Sequence, residues 1–379
     1  LTELGEEIQQ DLLSKISNEE LSEAVRELEL DEVVDILHNL PEERMQMILS
    51  KMSLRDRNRI EKGLIYPDDT AGGLLNTDVL SVRPNHTVEV VTRYLREQKD
   101  LPENTDKIFV VSRDDKYLGE ISIIKIITSE VSEKIDNLIT PNIDPILVTE
   151  SDKKVATKFE RNNLISSAVI NTEGELLGRI TIDDIVDFIK EEAEEDYLLA
   201  AGVQGDVEAD DSILELTKAR LPWLFLGLVG GLGSVFILEG FEDVMTHPSY
   251  KTLFFFTPLI AAMAGNVGVQ SSAIIVQGLA NDVVKGSLVN RLLKELGLSL
   301  INGVILGIIT ILFGLATNLP IELSITISLS MLCVIVVAAL IGTSIPILLD
   351  KKGIDPAIAT GPFITTSNDI FGILIYFSI

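Results

Sequence analysis

The chain has 379 residues, 46% of them apolar, and a formal net charge of −27 at pH 7. This length permits two or three domains. A positive mean hydropathy beside so large a charge requires apolar and charged residues to be segregated along the chain. Residues 1–217 hold 49 acidic and 23 basic side chains, whereas residues 218–379 hold nine and eight. The acidic first half excludes nucleic acid, which requires a basic surface, and favours cations as partners. A lone cysteine, Cys333, excludes a disulfide framework.

Residues 1–75 have the pattern of several short amphipathic helices. Ser17 and Glu20 have the spacing of a capping box, in which each side chain satisfies a backbone N–H of the other residue. Pro41 stands at the first position of a second helix, where its missing N–H costs nothing. Apolar residues recur at helical spacing in both stretches. The pattern predicts a small stack of helical hairpins, which ends before the sequence YPDDTAGG at residues 66–73.

A pattern of helix, strand, turn, strand and helix then occurs twice, in residues 80–128 and again in residues 146–189. Gly119 and Gly178 fall at equivalent positions of the two copies. A duplication with a period of about 59 residues is a strong sign of two similar modules. The pair resembles tandem CBS modules.

Carboxylates crowd together directly after the second module. Four of them, at positions 184, 187, 191 and 195, share one helical face, where like charges destabilise a helix. The eight residues of this group are Asp183, Asp184, Asp187, Glu191, Glu192, Glu194, Glu195 and Asp196. A solvated acidic face and a cation-binding surface both remain open, and the position just before the apolar half favours the second. A connecting helix is expected from residue 197 to residue 218.

Five apolar segments follow, each near the roughly 20 residues that cross a ~30 Å hydrocarbon core. They occupy residues 222–238, 253–280, 296–316, 321–349 and 357–379. Seven of the eight basic residues after residue 217 lie before the first segment, between the second and third, or between the fourth and fifth; the other loops hold only Lys251. Basic loops face the cytoplasm, so residues 1–217 are predicted to be cytoplasmic and the C-terminus to lie outside. No apolar segment precedes the acidic half, so no signal peptide is expected. The predicted location is the plasma (inner) membrane, crossed several times.

Asp369 is the only acidic or basic residue of the fifth segment. A charge deep in a bilayer costs at least about 2.5 kcal/mol, so its presence indicates a function, with a proton-neutralised structural carboxyl as the alternative. The neighbouring residues 365–368 are polar, and the second segment contributes Asn266 and the polar residues 270–272. Oxygen ligands without histidine or cysteine suit a hard cation such as Mg²⁺.

Several motifs give the chain a family resemblance. They are YPDDTAGG at residues 66–73, RLPW at 220–223, GNVGVQSS at 265–272, and DPA at 355–357 with TTSND at 365–369. In this order, around a CBS pair, they are similar to the MgtE magnesium channels and transporters over essentially the whole chain. The resemblance implies a homodimer whose pore follows the two-fold axis and is lined by the second and fifth segments.

The same resemblance implies functional residues. Asp369 of each subunit would hold hydrated Mg²⁺, with Asn266, Thr360 and Gly361 as further pore residues; some relatives have Asn at position 361. Cytosolic Mg²⁺ would close the gate by bridging acidic surfaces of the helical domain, the CBS pair and the connecting helix. The regulatory candidates are all carboxylates: Asp68, Asp69, Asp184, Asp187, Glu191, Glu192, Glu195 and Asp196. In the second CBS module, strongly gated relatives have acids where this chain has Ser151, Lys153 and Asn163.

The predicted protein is multidomain. It combines an α-helical N domain (residues 1–75), an α/β pair of CBS modules (76–136 and 137–196), a connecting helix (197–218) and an all-α membrane domain of five helices (219–379). The expected partners are Mg²⁺, a second copy of the chain and the lipid bilayer. ATP is a further candidate ligand, because Thr181 and Asp184 match the Thr-x-x-Asp element with which CBS modules hold a ribose.

Other functions were weighed against Mg²⁺-selective transport. A CBS-regulated transporter of broader selectivity, which also carries Mn²⁺ and Co²⁺, remains open. So does a CorC-like exchanger, although such proteins usually place the spans before the CBS pair. An enzyme is not expected, because His38, His86 and His247 are scattered and lack the His-Glu-x-x-His spacing of an intramembrane zinc protease.

Overall fold

A computed structural model describes residues 12–13, 15–25, 28, 33, 36–37, 40–53, 57, 60, 65–67, 69–98, 101–102, 104–141, 144–205, 207, 209, 211–248, 250–281, 284 and 287–379. The chain divides into two compact units, Leu1–Glu192 and Ala193–Ile379. The first unit contains short helices and two small sheets, and the second is helical where it is described.

The first unit begins with short helices around an apolar core. Helix α1 (Asn18–Ala24) starts with the predicted capping box: the backbone N of Glu20 donates to Ser17 Oγ, and the backbone N of Ser17 donates to the Glu20 carboxylate. Helix α2 (Glu42–Lys51) begins directly after Pro41. One buried cluster joins this region: Leu13, Leu21, Val25, Val33, Ile36, Leu37, Leu40, Ile48, Leu49 and Ile60. Parts of the predicted hairpin stack lie outside the described residues.

Two copies of one α/β module follow, as the repeat predicted. In each sheet the first strand pairs in parallel with the second, which pairs antiparallel with the third. Both sheets have a register shift at the same place in the second strand. The first copy consists of β1 (Ser81–Val82), α3 (Val88–Glu97), β2 (Lys107–Val111), β3 (Tyr117–Ser122) and α4 (Ile123–Thr128). The second consists of β4 (Ile146–Leu147), α5 (Asp152–Asn162), β5 (Ser166–Ile170), β6 (Leu176–Thr181) and α6 (Ile182–Ala201).

The repeated glycines Gly119 and Gly178 serve the same purpose in the two modules. Each lies in the third strand, where a segment outside the sheet, at Thr140 or Asn76, bridges to the next residue of the strand. A Cβ at Gly119 would lie 2.7 Å from the Thr140 carbonyl oxygen, and a Cβ at Gly178 would overlap the Asn76 carbonyl oxygen. Only glycine lets the two backbones approach this closely, which explains why it recurs in both copies.

The second unit is built from long apolar helices. Four described stretches are long and apolar enough to cross a membrane: Ile213–Gly240, Lys251–Ala280, Leu288–Ala316 and Ile321–Asp350. The helices are α7 (Ile213–Gly240), α8 (Glu242–Thr246), α9 (Thr257–Ala280), α10 (Leu288–Ala316), α11 (Ile321–Asp350) and α12 (Pro362–Ser378). Turns of 3₁₀ helix lie at Lys251–Phe256 and Pro356–Ala359.

The fifth predicted span is shorter than the sequence suggested. The segment 357–379 is not one helix, because a 3₁₀ turn ends it at Ala359 and Gly361 adopts a φ of 55°, outside the α-helical region. The helix that follows, α12, has 17 residues. It is therefore about 26 Å long, below the ~30 Å of a hydrocarbon core. Within the described part of the chain four helices meet the length requirement, and the fifth crossing stays a prediction.

Small residues allow the helices of the second unit to approach closely. Gly303 of α10 contacts Leu332 of α11, and Gly230 of α7 packs directly on the side chain of Thr366 in α12. Such contacts are typical of helices in a bilayer, where close van der Waals packing drives association. A shared apolar core lies between α9, α11 and α12: Ile260, Ala264, Ile327, Met331, Val334, Ile335, Ala338, Ile373, Tyr376 and Phe377.

Candidate metal sites

The second unit brings Asp369 against the glycine-rich segment of α9. Asp369 lies on α12 and is half-buried. A Cβ at Gly265 would lie 3.7 Å from Asp369 Oδ1 and 3.2 Å from the methyl group of Thr365. Because Gly265 has no side chain, the carboxylate lies close to the α9 backbone. The structure thus places Asp369 beside the segment of the second apolar stretch that the sequence paired with it.

Gly268, one turn further along α9, is the point where three helices meet. A Cβ there would overlap Asn368 Nδ2 of α12, and a Cβ at Gly342 of α11 would overlap the Gly268 carbonyl oxygen. Asn368 is 1% exposed, and neither its Nδ2 nor its Oδ1 has a hydrogen-bond partner among the described residues. The residue next to the candidate pore carboxylate is therefore a tightly packed amide. Sequence reasoning noted Asn368 only as a polar neighbour.

Asn266 lies on a different side of α9 from Gly265 and Gly268. Asn266 and Gln270, one turn apart, are both exposed, whereas the two glycines are buried. An exposed amide stripe on an apolar helix is costly against lipid and is compatible with a water-filled path or with a second copy of the chain. The stripe therefore extends the candidate pore surface beyond the single predicted residue Asn266.

Thr360 and Gly361 precede α12, eight or nine residues before Asp369, and the contacts described for them are with other residues. The Thr360 hydroxyl is buried and donates to the carbonyl oxygen of Ala357, 2.6 Å away, so it stabilises the end of the 3₁₀ turn. Gly361 packs on the carbonyl oxygen of Ala200 at the end of α6. Sequence spacing could not reveal this, since it shows neither the turn nor the incoming α6.

Replacing Gly361 by alanine is expected to lower the stability of the purified protein. The residue has a positive φ, and an added Cβ would overlap the Ala200 carbonyl oxygen. The matched control is Gly353→Ala, because Gly353 has a φ of 70° but nothing within 4 Å of an added Cβ. The control should lose about 1 kcal/mol from the left-handed backbone alone, and Gly361→Ala about 1–3 kcal/mol more from overpacking. Equal melting temperatures of the two variants in detergent would contradict this.

Asp184, a predicted regulatory ligand, accepts two hydrogen bonds from Thr181, the last residue of β6. Its Oδ2 accepts hydrogen bonds from the backbone N of Thr181 at 2.8 Å and from Thr181 Oγ1 at 2.6 Å. Burial raises the pKa of the Asp184 carboxyl, against the lowering effect of these two hydrogen bonds. The pair caps the start of α6 and satisfies a free backbone N–H there. Thr181 and Asp184, the predicted ribose-binding pair, thus bond to each other in the structure.

The other predicted ligands on α6 differ in exposure. Asp187, Glu191 and Glu195 are exposed, and Glu192 and Asp196 are half-buried. Glu192 pairs with Lys153 of α5, and its Oε2 lies 2.7 Å from the Lys153 Nζ. The Lys153 side chain is 59% exposed, so this ion pair contributes little to stability. It nevertheless places a positive charge on one of the predicted ligands.

Asp152 is an acidic group at this place that the sequence analysis missed. Its backbone N donates to the Asp69 carbonyl oxygen at 3.4 Å, in the bridge between the segment 69–71 and the start of α5. Burial and the negative charges of Glu192 and Asp69 raise the pKa of the Asp152 carboxyl, although a hydrogen bond from the backbone N of Lys153 lowers it. Asp152 could have been found from the sequence, because it directly precedes Lys153, a position already considered as part of the regulatory surface.

The described residues do not form a complete metal site. Across the described ranges, no three His, Cys, Asp or Glu side chains are grouped closely enough to hold a metal ion. Asp68 lies outside the described residues.

Family models match the N-terminal helices, both α/β modules and the C-terminal helices from residue 257 onward. Residues 257–379 match a family model described as MgtE, a divalent cation transporter. Residues 1–69 match the MgtE intracellular N domain, and residues 71–132 and 135–191 each match the CBS domain.

Similar curated proteins are described as members of the family of these models. The chain is 35% identical to the magnesium transporter MgtE of Enterococcus faecalis over 327 residues, which cover 86% of this chain and 71% of that protein. It is 29% identical to the magnesium transporter MgtE of Bacillus subtilis over 378 residues, 100% of this chain and 83% of that protein. A solved cytosolic domain of the Mg²⁺ channel MgtE in complex with ATP is 27% identical and covers 49% of this chain and 77% of that one, with a TM-score of 0.47. From the identity and coverage of the first of these relatives, the chain belongs to the MgtE family of divalent cation transporters.

Proposed function

We propose that the protein is a Mg²⁺-selective channel or transporter that conducts Mg²⁺ through a pore formed by two copies of the chain. The observation that carries the proposal is the Asp369 carboxylate, held against Gly265 inside a unit of apolar helices. A charge in that setting costs at least about 2.5 kcal/mol, so a function such as a cation path is the default explanation for it. The magnesium transporters to which the chain is similar support Mg²⁺ as the ion.

A second copy of the chain would complete the ion site. One carboxylate is a poor match for Mg²⁺, which requires octahedral coordination and keeps most of its water. Two Asp369 carboxylates across a two-fold axis would supply two negative charges to a hydrated ion. The exposed amides Asn266 and Gln270 would then offer hydrogen bonds to its water molecules. In this arrangement α9 and α12 line the pore.

The proposed topology has five crossings, with residues 1–217 in the cytoplasm and the C-terminus outside. Four helices are long enough to cross, and α12 would be the fifth if the bilayer thins locally or the segment before it contributes. Seven basic residues lie on the proposed cytoplasmic side and one on the other side, which supports this orientation. The proposed domain division is 1–75, 76–136, 137–196, 197–218 and 219–379. Residues 197–218 are not the single connecting helix that the sequence predicted, because α6 ends at Ala201 and α7 begins at Ile213.

Cytosolic Mg²⁺ is proposed to close the pore through the acidic domains. Residues 1–217 carry an excess of 26 negative charges, so closely packed faces repel one another. Divalent ions between these faces would offset the repulsion and favour a compact state. Gating requires only that Mg²⁺ bind the compact state more tightly than the separated one. The regulatory ligands proposed are those of α6 together with Asp68 and Asp69. ATP at Thr181 and Asp184 is a further proposed ligand, supported by the matching sequence element.

Mg²⁺ uptake into proteoliposomes is the experiment that tests the function. The purified full-length chain should carry Mg²⁺ down its gradient, and a tenfold excess of Mn²⁺ or Co²⁺ outside should reduce that flux only weakly if the pore is Mg²⁺-selective. Strong competition would favour the alternative of a broader divalent transporter. Uptake that depends on a counter-gradient of another cation would favour a CorC-like exchanger.

Mg²⁺ is also expected to protect residues 1–217 from limited proteolysis. Without divalent ions the acidic domains should separate and expose the chain near residues 197–217, whereas Leu75 and Asn76 stay bound to the second CBS module. A ligand at ten times its Kd stabilises the state it binds by a factor of about ten, and cleavage through the open state should slow by about the same factor. The comparison is between Mg²⁺ and EDTA at matched ionic strength, because monovalent salt alone shortens the Debye length to ~8 Å at 0.15 M. Equal cleavage rates would contradict a Mg²⁺-driven compaction.

A further inference from the structure

A hydrogen bond joins α10 to the glycine-rich segment of α9. Ser271 Oγ donates to Glu295 Oε1, and the two oxygens lie 2.6 Å apart. Ser271 is buried, with 5% of its surface exposed, and Glu295 is half-buried. Hydroxyl donors to carboxylates form short, strong hydrogen bonds of this kind. Because α10 packs chiefly along α11, the Glu295 side chain is a direct link from α10 to α9.

The Ser271 hydroxyl could be satisfied without Glu295. A serine in an apolar helix can satisfy its hydroxyl within the helix, as Ser299 and Thr310 of α10 do by donating to the carbonyl oxygens of Leu296 and Leu306. Glu295 lies directly before the third apolar segment (residues 296–316), and its half-buried carboxylate accepts from α9. The bond therefore replaces one that the Ser271 hydroxyl could have made within its own helix.

The geometry of α9 shows what the bond can control. Gly265, Gly268 and Ser271 are spaced by three residues, so at about 100° per residue they follow one another around an arc of about 120°. Gly265 contacts α12, Gly268 contacts α12 and α11, and Ser271 contacts α10. The exposed Asn266 and Gln270 lie outside this arc. Helix α9 is thus held from three directions and open on the remaining side.

The other contacts that hold α9 are packing contacts. Gly265 and Gly268 press against α12 and α11, and the buried Ile260 and Ala264 of α9 belong to the core shared with those two helices. The bond from Ser271 to Glu295 differs from them because it is directional, and it would weaken steeply if α9 turned at Ser271.

We propose that Glu295 is a positioning residue for ion transport. It holds α9, through Ser271, in the rotation that keeps Gly265 against Asp369 and leaves Asn266 on the open side. This inference rests on the proposed function, because it assumes that cations pass the surface formed by α9 and α12. It assigns no cation to Glu295, whose part is to accept the hydrogen bond.

The test compares Mg²⁺ uptake by full-length variants in proteoliposomes. Ser271→Ala and Glu295→Leu each remove the bond and should lower the flux about tenfold, the population shift that follows from losing one hydrogen bond to a charged group. The double variant should be no worse than Glu295→Leu, because both single changes remove the same interaction. Glu295→Gln and Ser271→Thr keep an acceptor and a hydroxyl, and each should recover most of the flux.

The matched control is Ser299→Ala, a buried serine whose hydroxyl bonds only within α10 according to the contacts described. It should transport like the parent. All variants are compared at equal reconstituted amount and with the elution volume of the parent in size-exclusion chromatography, so that a folding defect is recognised. Ser271→Ala, the milder of the two changes, decides the test if Glu295→Leu elutes as an aggregate.

Three results would overturn the inference. Flux of Ser271→Ala at the parent level would show that the bond does not position α9. A Glu295→Gln variant as poor as Glu295→Leu would show that the charge acts rather than the hydrogen bond. Additive losses in the double variant would show two independent roles. A parent protein that carries no Mg²⁺ would instead refute the proposed function, and that outcome is recognised before any variant is compared.

Discussion

Asp369→Ala is expected to abolish Mg²⁺ uptake while the protein still folds and assembles. Asp369 is the only charged side chain of α12, and its carboxylate is the one that α9 approaches at Gly265. At 4 Å and an effective dielectric constant of about 20, a unit charge pair is worth about 4 kcal/mol, and a divalent ion doubles the interaction. Losing it from both copies should lower the flux at least about a hundredfold, since about 1.4 kcal/mol already corresponds to a factor of ten.

Two comparisons make this result specific. Asp369→Asn keeps the shape and removes the charge, so it should be nearly as inactive as Asp369→Ala. Asp350→Ala is the control, because Asp350 is an exposed acid at the end of α11 in the same unit. Uptake by Asp369→Ala or Asp369→Asn at the parent rate would refute the pore assignment, provided that the reconstituted amounts are equal.

The second large effect is expected from removing the charges of α6. With Asp184→Asn, Asp187→Asn, Glu195→Gln and Asp196→Asn together, the pore should stay open at internal Mg²⁺ concentrations that close the parent. The changes keep side-chain shape but weaken the divalent sites, and without differential affinity Mg²⁺ cannot drive closure. Patch-clamp open probability should require at least about tenfold more internal Mg²⁺ to fall by half, which corresponds to about 1.4 kcal/mol.

Asp184 needs separate treatment in that experiment because it also caps α6. Its two hydrogen bonds from Thr181 mean that Asn at this position costs local stability as well as charge. A triple variant that keeps Asp184 therefore distinguishes a weakened ion site from a frayed helix. The charge-matched control changes four exposed acids of the first CBS module to amides: Glu89, Glu97, Glu130 and Asp136.

The possible outcomes have different meanings. A curve shifted to higher Mg²⁺ in the α6 variants but not in the control supports ion bridging. A permanently closed channel would mean that repulsion alone holds the pore open, because removing negative charge lets the domains collapse without an ion. An unchanged curve would mean that these carboxylates are not the sensor. The ion pair between Lys153 and Glu192, which neutralises one acid of α6, would then be the next contact to test.

Local and repeated features could be predicted from the sequence because they depend on neighbours along the chain. The capping box at Ser17 and Glu20 needs only a spacing of three residues, and the duplicated module is visible at Gly119 and Gly178. Four apolar helices were predictable from length and composition. The length of the fifth was overestimated, because hydropathy does not register the positive φ of Gly361, after which α12 begins.

Contacts between distant segments could not be predicted. Position 360 was predicted to line the pore, but the bond from the Thr360 hydroxyl to the Ala357 carbonyl oxygen left no sign in the sequence. The ion pair from Lys153 to Glu192 spans 39 positions of the chain. The bond from Ser271 to Glu295 left no pattern in the sequence, since the two residues lie on different helices 24 positions apart. Such pairs are set by how helices cross, and crossing geometry depends on the whole set of packed surfaces.

The crossing at Gly268 has a consequence for anyone who redesigns this protein. Gly268 and Gly342 touch through backbone atoms, and Asn368 fills the space above Gly268. A larger residue at any of the three positions forces a change at another, so the usual strategy of replacing helical glycines with alanine to gain rigidity fails here. A stabilised variant has to take its mutations from the outward faces of α7 and α10, and to treat these three residues as one unit that is kept or exchanged together.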